Sequence, residues 1–138
     1  MAEVLPPLDS NLYQLQKALE NCQEAVRDGG AIILFSRCRE GIGSEDFFHL
    51  AERWEPNGSV QINPEDTFGI HKLHRVFRIG RRIDIYLYSG LPKGVPERVY
   101  FRSCQSPQDI IDGLAEDSFD SVRMAVVRDA GHTVLTAH

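Results

Sequence analysis

The order of apolar and polar positions along the chain predicts helices that alternate with strands. Ala31 to Phe35 is a short apolar run that follows two glycines and precedes a polar segment, a pattern typical of a strand buried on both faces. Further strands are predicted at Ile83–Tyr88, Val99–Phe101 and Val122–Val127. Since no hairpin signal joins them, we expect parallel strands connected by right-handed crossovers.

These elements predict an α/β fold, a three-layer sandwich whose mostly parallel central sheet of about four strands is flanked by helices. A chain of 138 residues is long enough to enclose one hydrophobic core. The sequence contains no visible repeat and no interdomain linker. We therefore expect a single domain that spans residues 1–138.

The first predicted helix follows an extended lead-in that contains two prolines. Asp9 or Ser10 is expected to cap this helix, which runs to about Arg27, and Gly29 and Gly30 supply its left-handed C-cap. Its apolar residues recur at three- and four-residue steps and form one stripe: Leu12, Leu15, Leu19, Cys22 and Val26. We expect this stripe to face the core.

Three further helices have start signals in the sequence. Ser44 caps the second helix, Asn63 and Pro64 begin the third, which runs to about Ile79, and Ser106 begins the fourth. The apolar positions expected to face the core are Phe47, Phe48, Ala51 and Trp54 in the second helix and Ile110, Ile111 and Leu114 in the fourth.

Composition narrows the classes of function. The net charge of -5 argues against nucleic acid as a partner, because phosphate neutralisation needs clustered basic residues. The chain has no run of about 18 apolar residues, so no membrane span is expected, and its start lacks the features of a signal peptide. The three cysteines, Cys22, Cys38 and Cys104, are an odd number without C-x-x-C spacing. This usage is typical of reduced thiols, and we expect a cytoplasmic protein.

One face of the first helix carries candidate binding residues. Tyr13, Gln14 and Lys17 fall within an arc of about 100°, nearly opposite the leucine stripe. They are either part of a solvated face, which Glu20 and Glu24 share, or a phenol, an amide and an ammonium aimed together at something outside the core. The tyrosine on the solvent side keeps the second interpretation open.

The glycine-containing segment after the first long strand is a weaker candidate. Gly41-Ile42-Gly43 before a helix resembles a phosphate cradle, but no P-loop Lys-Ser/Thr pair follows it. Glu45 and Asp46 would repel a phosphate at the start of that helix. A sharp turn or a close backbone approach explains the glycines better.

One cysteine and one pair of histidines are further candidates for chemistry. Cys38 lies between Arg37 and Arg39, which favours a thiolate, but the sequence identifies no base, so a structural cysteine is the simpler interpretation. His71 and His74 lie three residues apart on the third helix. Two histidines without a carboxylate at ligand spacing do not predict a metal site. Because Lys72, Arg75 and Arg78 share this helix, we expect a polar, partner-facing surface there.

Several stretches together resemble the C-terminal domain of the nickel-dependent lactate racemase family. They are LDSNLYQLQKAL at residues 8–19, GGAIIL at 29–34, CREGIGSE at 38–45, SGLP at 89–92, SPQD at 106–109 and the closing residues 126–134. The N-L-Y-Q-x-x-K piece is the most specific part, and the glycine loop is the next. The resemblance covers nearly the whole chain.

The resemblance implies a two-domain enzyme whose active site lies between the domains. A nickel-pincer nucleotide cofactor in that site accepts a hydride from the 2-carbon of a hydroxy acid and returns it to either face. The residues that hold the cofactor and nickel and move protons belong to the family's N-terminal domain, which these 138 residues do not include. The implied partners are that N-terminal domain and a small 2-hydroxy acid. No catalytic residue and no metal ligand is assigned in this chain, and no bound cofactor is expected.

The resemblance also implies a set of binding residues. Tyr13, Gln14 and Lys17 match family positions that line the cleft and contact substrate or cofactor. Phe68 is the counterpart of a tryptophan in the lactate enzyme, a difference that makes another 2-hydroxy acid as suitable a substrate as lactate. His71 and Lys72 on the same helix complete the expected substrate- and cofactor-binding set.

Our hypothesis from the sequence is the C-terminal domain of a nickel-pincer 2-hydroxyacid racemase or epimerase, an isomerase. We expect it to fold alone but to be inactive as an isolated domain. One alternative is a stand-alone ligand- or partner-binding α/β domain without catalysis. Another is a thiol enzyme that uses Cys38.

Overall fold

The computed structural model describes residues 1–54, 69–116 and 122–136. Its elements are β1 (Ala2–Glu3), α1 (Leu12–Cys22), a 3-10 turn (Gln23–Ala25), β2 (Ala31–Phe35), α2 (Glu45–Arg53), α3 (Ile70–Gly80), β3 (Asp84–Tyr88), a second 3-10 turn (Pro96–Val99), β4 (Arg102–Ser103) and α4 (Pro107–Glu116). The predicted α/β fold is confirmed, since a four-stranded parallel sheet is flanked by helices.

The four strands lie side by side in chain order, and every neighbouring pair is parallel. The strand β2 is internal, with Leu34 paired to Ala2 of β1 on one side and Ile33 paired to Tyr86 of β3 on the other. Ile32, Ile33 and Leu34 are all buried, as the apolar run predicts. Because the strands are parallel, their carboxyl ends meet at a single edge of the sheet.

The ends of α1 differ from the prediction. Asn11 is the N-cap in place of Asp9 or Ser10, and its Oδ1 accepts a hydrogen bond of 2.9 Å from the backbone N–H of Gln14. The helix ends at Cys22, and a 3-10 turn follows it, so Gly29 and Gly30 do not cap it. The polar side chains in this segment compete for the cap, and the one whose oxygen reaches the first turn is selected by geometry.

The loop from Gly41 to Gly43 closes the N-terminus of α1. The carbonyls of Gly41 and Ile42 accept hydrogen bonds of 3.0 and 3.2 Å from the N–H groups of the first two residues of the helix. Gly43 has a φ of 85°, and a Cβ there would lie 2.3 Å from the Asn11 side chain. The expected close backbone approach is confirmed. The first N–H groups of α1 are therefore satisfied within the protein.

Two predicted strands are wrong. Residues 96–99 form a 3-10 turn that ends at Tyr100 with a φ of 67°, and the strand β4 begins only at Arg102. In the segment predicted as Val122–Val127, a single bridge joins Val127 to Ala2 of β1. The prediction also missed the strand β1, which has only two residues and lies at the edge of the sheet. The segment at 122–127 therefore has little strand beside it to pair with. The local apolar pattern predicted a strand in both segments, but strand formation also depends on pairing with a neighbouring strand.

The other helices largely agree with the prediction. Ser44 caps α2 by accepting from the backbone N–H of Phe47 at 3.3 Å, and Ser106 accepts from the N–H of Asp109 at the start of α4. The predicted start of the third helix at residues 63–64 lies outside the described residues, and α3 begins at Ile70. The apolar side of α4 is wrong as a core-facing surface, since its three residues are only half-buried: Ile110, Ile111 and Leu114.

The core lies between the sheet and the inner sides of the helices. The leucine stripe of α1 is buried in it, although Val26, beyond the helix, is only half-buried. The four apolar residues predicted for the second helix are buried as well: Phe47, Phe48, Ala51 and Trp54. No helix in the ranges 1–54, 69–116 and 122–136 is long and apolar enough to span a bilayer.

Candidate functional site

The outward side of α1 meets α3 at Tyr13. The Lys72 Nζ lies 3.7 Å from the centroid of the Tyr13 ring and donates a hydrogen bond of 3.3 Å to the Tyr13 carbonyl. The same ring packs edge-on against Phe47 of α2, with 5.2 Å between the ring centroids. Tyr13 is therefore half-buried and contacts residues of two other helices, α2 and α3.

Gln14 and Lys17 lie beside Tyr13 on the exposed side of α1. Within the described part of the chain, neither the Gln14 amide nor the Lys17 ammonium has a side-chain partner. One turn further along α1, Glu20 forms an ion pair of 2.7 Å with Arg75 of α3. We call Tyr13, Gln14, Lys17 and Lys72 the α1–α3 face.

The electrostatics of this face favour an anion. Burial lowers the pKa of Lys72, while the Glu20 carboxylate raises it and the neighbouring Arg75 lowers it again. The net direction is downward, since the ammonium loses hydration that a single carboxylate does not replace. A negatively charged ligand group beside Lys17 and Lys72 would restore that balance.

One described residue of the expected set, His71, lies apart from this face. His71 is exposed and lines a depression of about 500 Å³ with Trp54 and His74. Arg75 borders the same depression and also pairs with Glu20, so it connects the depression to the α1–α3 face. Phe68 lies outside the described residues.

Sequence reasoning missed two contacts between helices at the site. Phe47 supplies the ring against Tyr13, and Arg75 joins α3 to α1. Arg75 lies three residues after Lys72, so helical spacing indicates that the two share a side of α3. No sequence signal identifies Phe47, because the contact joins two helices that are distant in the chain.

The described residues hold no cluster of metal ligands. No group of three or more His, Cys, Asp or Glu side chains within them is arranged to bind a metal ion. The α1–α3 face instead presents an amide, two ammonium groups and an aromatic ring. These groups fit contact with a carboxylate or with the polar edge of a cofactor rather than coordination of a metal.

Cys38 does not have the environment of a nucleophile. It is 4% exposed, and burial raises the pKa of its thiol; a hydrogen bond with Ser36 lowers the pKa and the nearby Asp9 charge raises it. The net direction is upward, so the flanking arginines do not produce a thiolate. All three cysteines are buried free thiols. The thiol-enzyme alternative is therefore disfavoured.

Comparison with known proteins gives matches to lactate racemases. Residues 5–63 match the family described as the lactate racemase C-terminal domain. The lactate racemase of Thermoanaerobacterium thermosaccharolyticum is 42% identical over 48 residues, which are 35% of this chain and 10% of that protein. The lactate racemase of Lactiplantibacillus plantarum is 40% identical over 51 residues, which are 36% of this chain and 12% of that protein.

The fold has a counterpart among solved structures. The structure of the lactate racemase apoprotein from Thermoanaerobacterium thermosaccharolyticum superposes with a TM-score of 0.77 and 18% sequence identity, over 99% of this chain and 35% of that one. This chain therefore spans about a third of the length of that enzyme. Residues 5–63 are thus similar to the lactate racemase C-terminal domain, and the structural likeness shows that the fold is shared.

Proposed function

We propose that this chain is the C-terminal domain of a nickel-pincer-dependent 2-hydroxyacid racemase or epimerase, and that its α1–α3 face closes the active-site cleft. The observation that carries the proposal is the placement of the Tyr13-Gln14-Lys17 motif. Its tyrosine is held between helices, and its amide and ammonium are exposed without side-chain partners in the described residues. The motif also lies within the stretch matched to the family.

Each side chain of the face has a distinct proposed role. The Lys17 ammonium pairs with the substrate carboxylate, and the Gln14 amide donates to the substrate or to the polar edge of the cofactor. The Tyr13 ring, backed by Phe47, forms an apolar wall that excludes water from the reacting carbon. Lys72 adds positive charge behind that wall. Phe68 and His71 enter the proposal through the family resemblance alone.

The cofactor belongs to the partner domain in this proposal. The nickel-pincer nucleotide, held mainly by the N-terminal domain, supplies the hydride acceptor when bound. This chain contributes binding and shielding, and the donors of the α1–α3 face fit those tasks. The 138 residues alone are therefore expected to show no racemase turnover.

The experiment joins this chain to a catalytic partner. The chain replaces the C-terminal third of the Thermoanaerobacterium thermosaccharolyticum lactate racemase, and the chimera is loaded with cofactor. Chiral chromatography then follows the conversion of single enantiomers of lactate and of larger 2-hydroxy acids. We expect turnover of at least one acid by the chimera and none by the chain alone. A folded, cofactor-loaded chimera without turnover, or turnover by the isolated chain, would contradict the proposal.

A further inference from the structure

A second concave site lies at the carboxyl edge of the sheet. A cavity of about 710 Å³ opens there, and residues from the ends of all four strands line it, among them Glu3, Phe35, Tyr88 and Ser103. Its volume is that of a small-molecule pocket, and this edge is where open α/β sheets commonly bind ligands. No member of the α1–α3 face lines the cavity, so the two sites are distinct.

The net charge of the side chains that line this cavity is opposite in sign to the net charge of the protein. Arg37, Arg39 and Lys93 line it and are exposed, and none of them has an ion-pair partner among the residues that the structure describes. Among the described residues that line it, only Glu3 and Asp9 carry carboxylates. The cavity is thus net positive within a chain whose net charge is -5. A positive cavity in an acidic protein favours an anionic ligand.

Two serine hydroxyl groups that line the cavity already donate hydrogen bonds within the protein, and a third is available to donate to a ligand. The Ser36 hydroxyl donates to the Asp9 carbonyl at 3.3 Å, and the Ser103 hydroxyl donates to the Glu97 carboxylate at 3.0 Å. The Ser89 Oγ instead accepts from the backbone N–H of Leu91 at 3.3 Å, which leaves its own proton for another acceptor. With the three cations, this donor adds to the capacity of the cavity to bind oxygen anions.

The loop that carries the two arginines is held in place before any ligand binds. Cys38, between them, has a φ of 47°, a conformation that costs a non-glycine residue free energy and persists only when its surroundings impose it. The Cys38 N–H donates to the Asp9 carbonyl at 2.9 Å, and the Glu40 N–H donates to the Ser10 carbonyl at 2.8 Å. A fixed backbone lowers the entropic cost of ordering the arginines around a ligand.

We propose that this cavity binds a small organic anion, whose carboxylate or phosphate group pairs with Arg37, Arg39 and Lys93. The body of the ligand packs against the apolar part of the wall, where Leu5, Leu87 and Leu91 lie. Guanidinium groups bind either oxyanion through paired hydrogen bonds, so the arginines recognise the chemistry that the two groups share. This site does not depend on the racemase proposal, because it uses none of the same residues.

The test uses four small anions that distinguish the contribution of the charged group to binding from that of the apolar body of the ligand. Acetate and benzoate carry a carboxylate, inorganic phosphate and phenyl phosphate carry a phosphate, and only benzoate and phenyl phosphate carry an apolar body. Each is titrated into the 138-residue chain in physiological salt, and backbone amide NMR shifts report the site. We expect saturable shifts at Gly90 and Cys38, with tighter binding of the probes that have a ring. Whichever of benzoate and phenyl phosphate binds more tightly identifies the preferred oxyanion.

Matched variants make the test specific. Arg39→Ala and Lys93→Ala are each expected to weaken binding by about tenfold, since each removes a charge-assisted hydrogen-bond donor. Arg81→Ala removes an exposed cation that does not line the cavity and is expected to leave the affinity within about twofold. Absence of saturable binding, shifts confined to the α1–α3 face, or equal weakening by Arg81→Ala would each overturn the proposal.

Discussion

Replacing Gly43 by alanine tests how the glycine loop holds the start of α1. A Cβ at this position would lie 2.3 to 2.7 Å from three atoms of the Asn11 side chain, which caps the helix. The φ of 85° adds a cost of about 1–2 kcal/mol for a residue with a Cβ. Loss of the Asn11 cap adds about 1–2 kcal/mol more. We expect Gly43→Ala to lower the free energy of unfolding by about 2–4 kcal/mol.

Gly41 provides the matched control. It has a φ of 69°, but a Cβ there would meet no atom of the described residues within 4 Å, so Gly41→Ala has only the backbone cost of about 1–2 kcal/mol. Urea unfolding followed by the fluorescence of Trp54, the only tryptophan and 9% exposed, measures both variants. In an Asn11→Ala background the clashing side chain is absent, so Gly43→Ala and Gly41→Ala should lower the free energy of unfolding by similar amounts. Equal destabilisation by the two glycine variants would contradict a clash between a Cβ at position 43 and the Asn11 side chain.

Three further predictions concern single side chains. Gln16 is 1% exposed, and its amide nitrogen and oxygen have no hydrogen-bond partner among the described residues. Gln16→Met should therefore raise the free energy of unfolding by about 1–3 kcal/mol in urea titrations, and a decrease would contradict this. Burial raises the pKa of the Cys38 thiol, so iodoacetamide at neutral pH should modify folded Cys38 far more slowly than the unfolded chain, as mass spectrometry of digests can measure; equal rates would be inconsistent with a buried thiol. Burial alone raises the pKa of Glu97, but hydrogen bonds from Ser103 and from the Gly94 N–H outweigh it and lower that pKa. The Glu97 carboxylate therefore stabilises the fold above the ordinary carboxyl pKa, and this contribution is lost as the pH falls through the lowered value. Chemical unfolding of Glu97→Gln should accordingly show destabilisation at neutral pH that vanishes in acid, and a pH-independent difference would argue against the assignment.

The sequence predicted the central elements because local pattern and tertiary environment agree there. The apolar run of β2 is buried on both sides, and the Ser44 signal coincides with the observed start of α2. Both features are decided within a few residues of the chain. The same holds for the leucine stripe of α1, whose helical spacing alone separates the buried side from Tyr13 and Lys17.

The errors fall where distant residues decide the outcome. The two-residue strand β1 forms only by pairing with β2, and the segment at 122–127 lies beside it with one bridge. The cap of α1 is selected by the loop at Gly43, thirty-two residues away from Asn11 in the chain. Neither relationship is visible in local hydrophobic periodicity, which describes a face without its neighbour.

The candidate site was predicted in part for the same reason. The α1 residues share one helix, so their common orientation follows from spacing. The contact of Lys72 with Tyr13 and the ion pair between Glu20 and Arg75 depend on how α3 packs beside α1. The cavity at the carboxyl edge joins residues from four strands and from the loop that follows each of them, and only the fold brings them together.

Kinetics of a Lys17 variant in the cofactor-loaded chimera show directly whether the α1–α3 face binds the substrate. Lys17→Ala removes the proposed partner of the substrate carboxylate, and we expect KM for the preferred 2-hydroxy acid to rise by about tenfold or more, with a smaller change in kcat. Arg81→Ala removes an exposed cation outside the α1–α3 face and should leave both constants unchanged. If the two variants have the same KM as the unmodified chimera, the α1–α3 face does not bind the substrate, and the account is wrong.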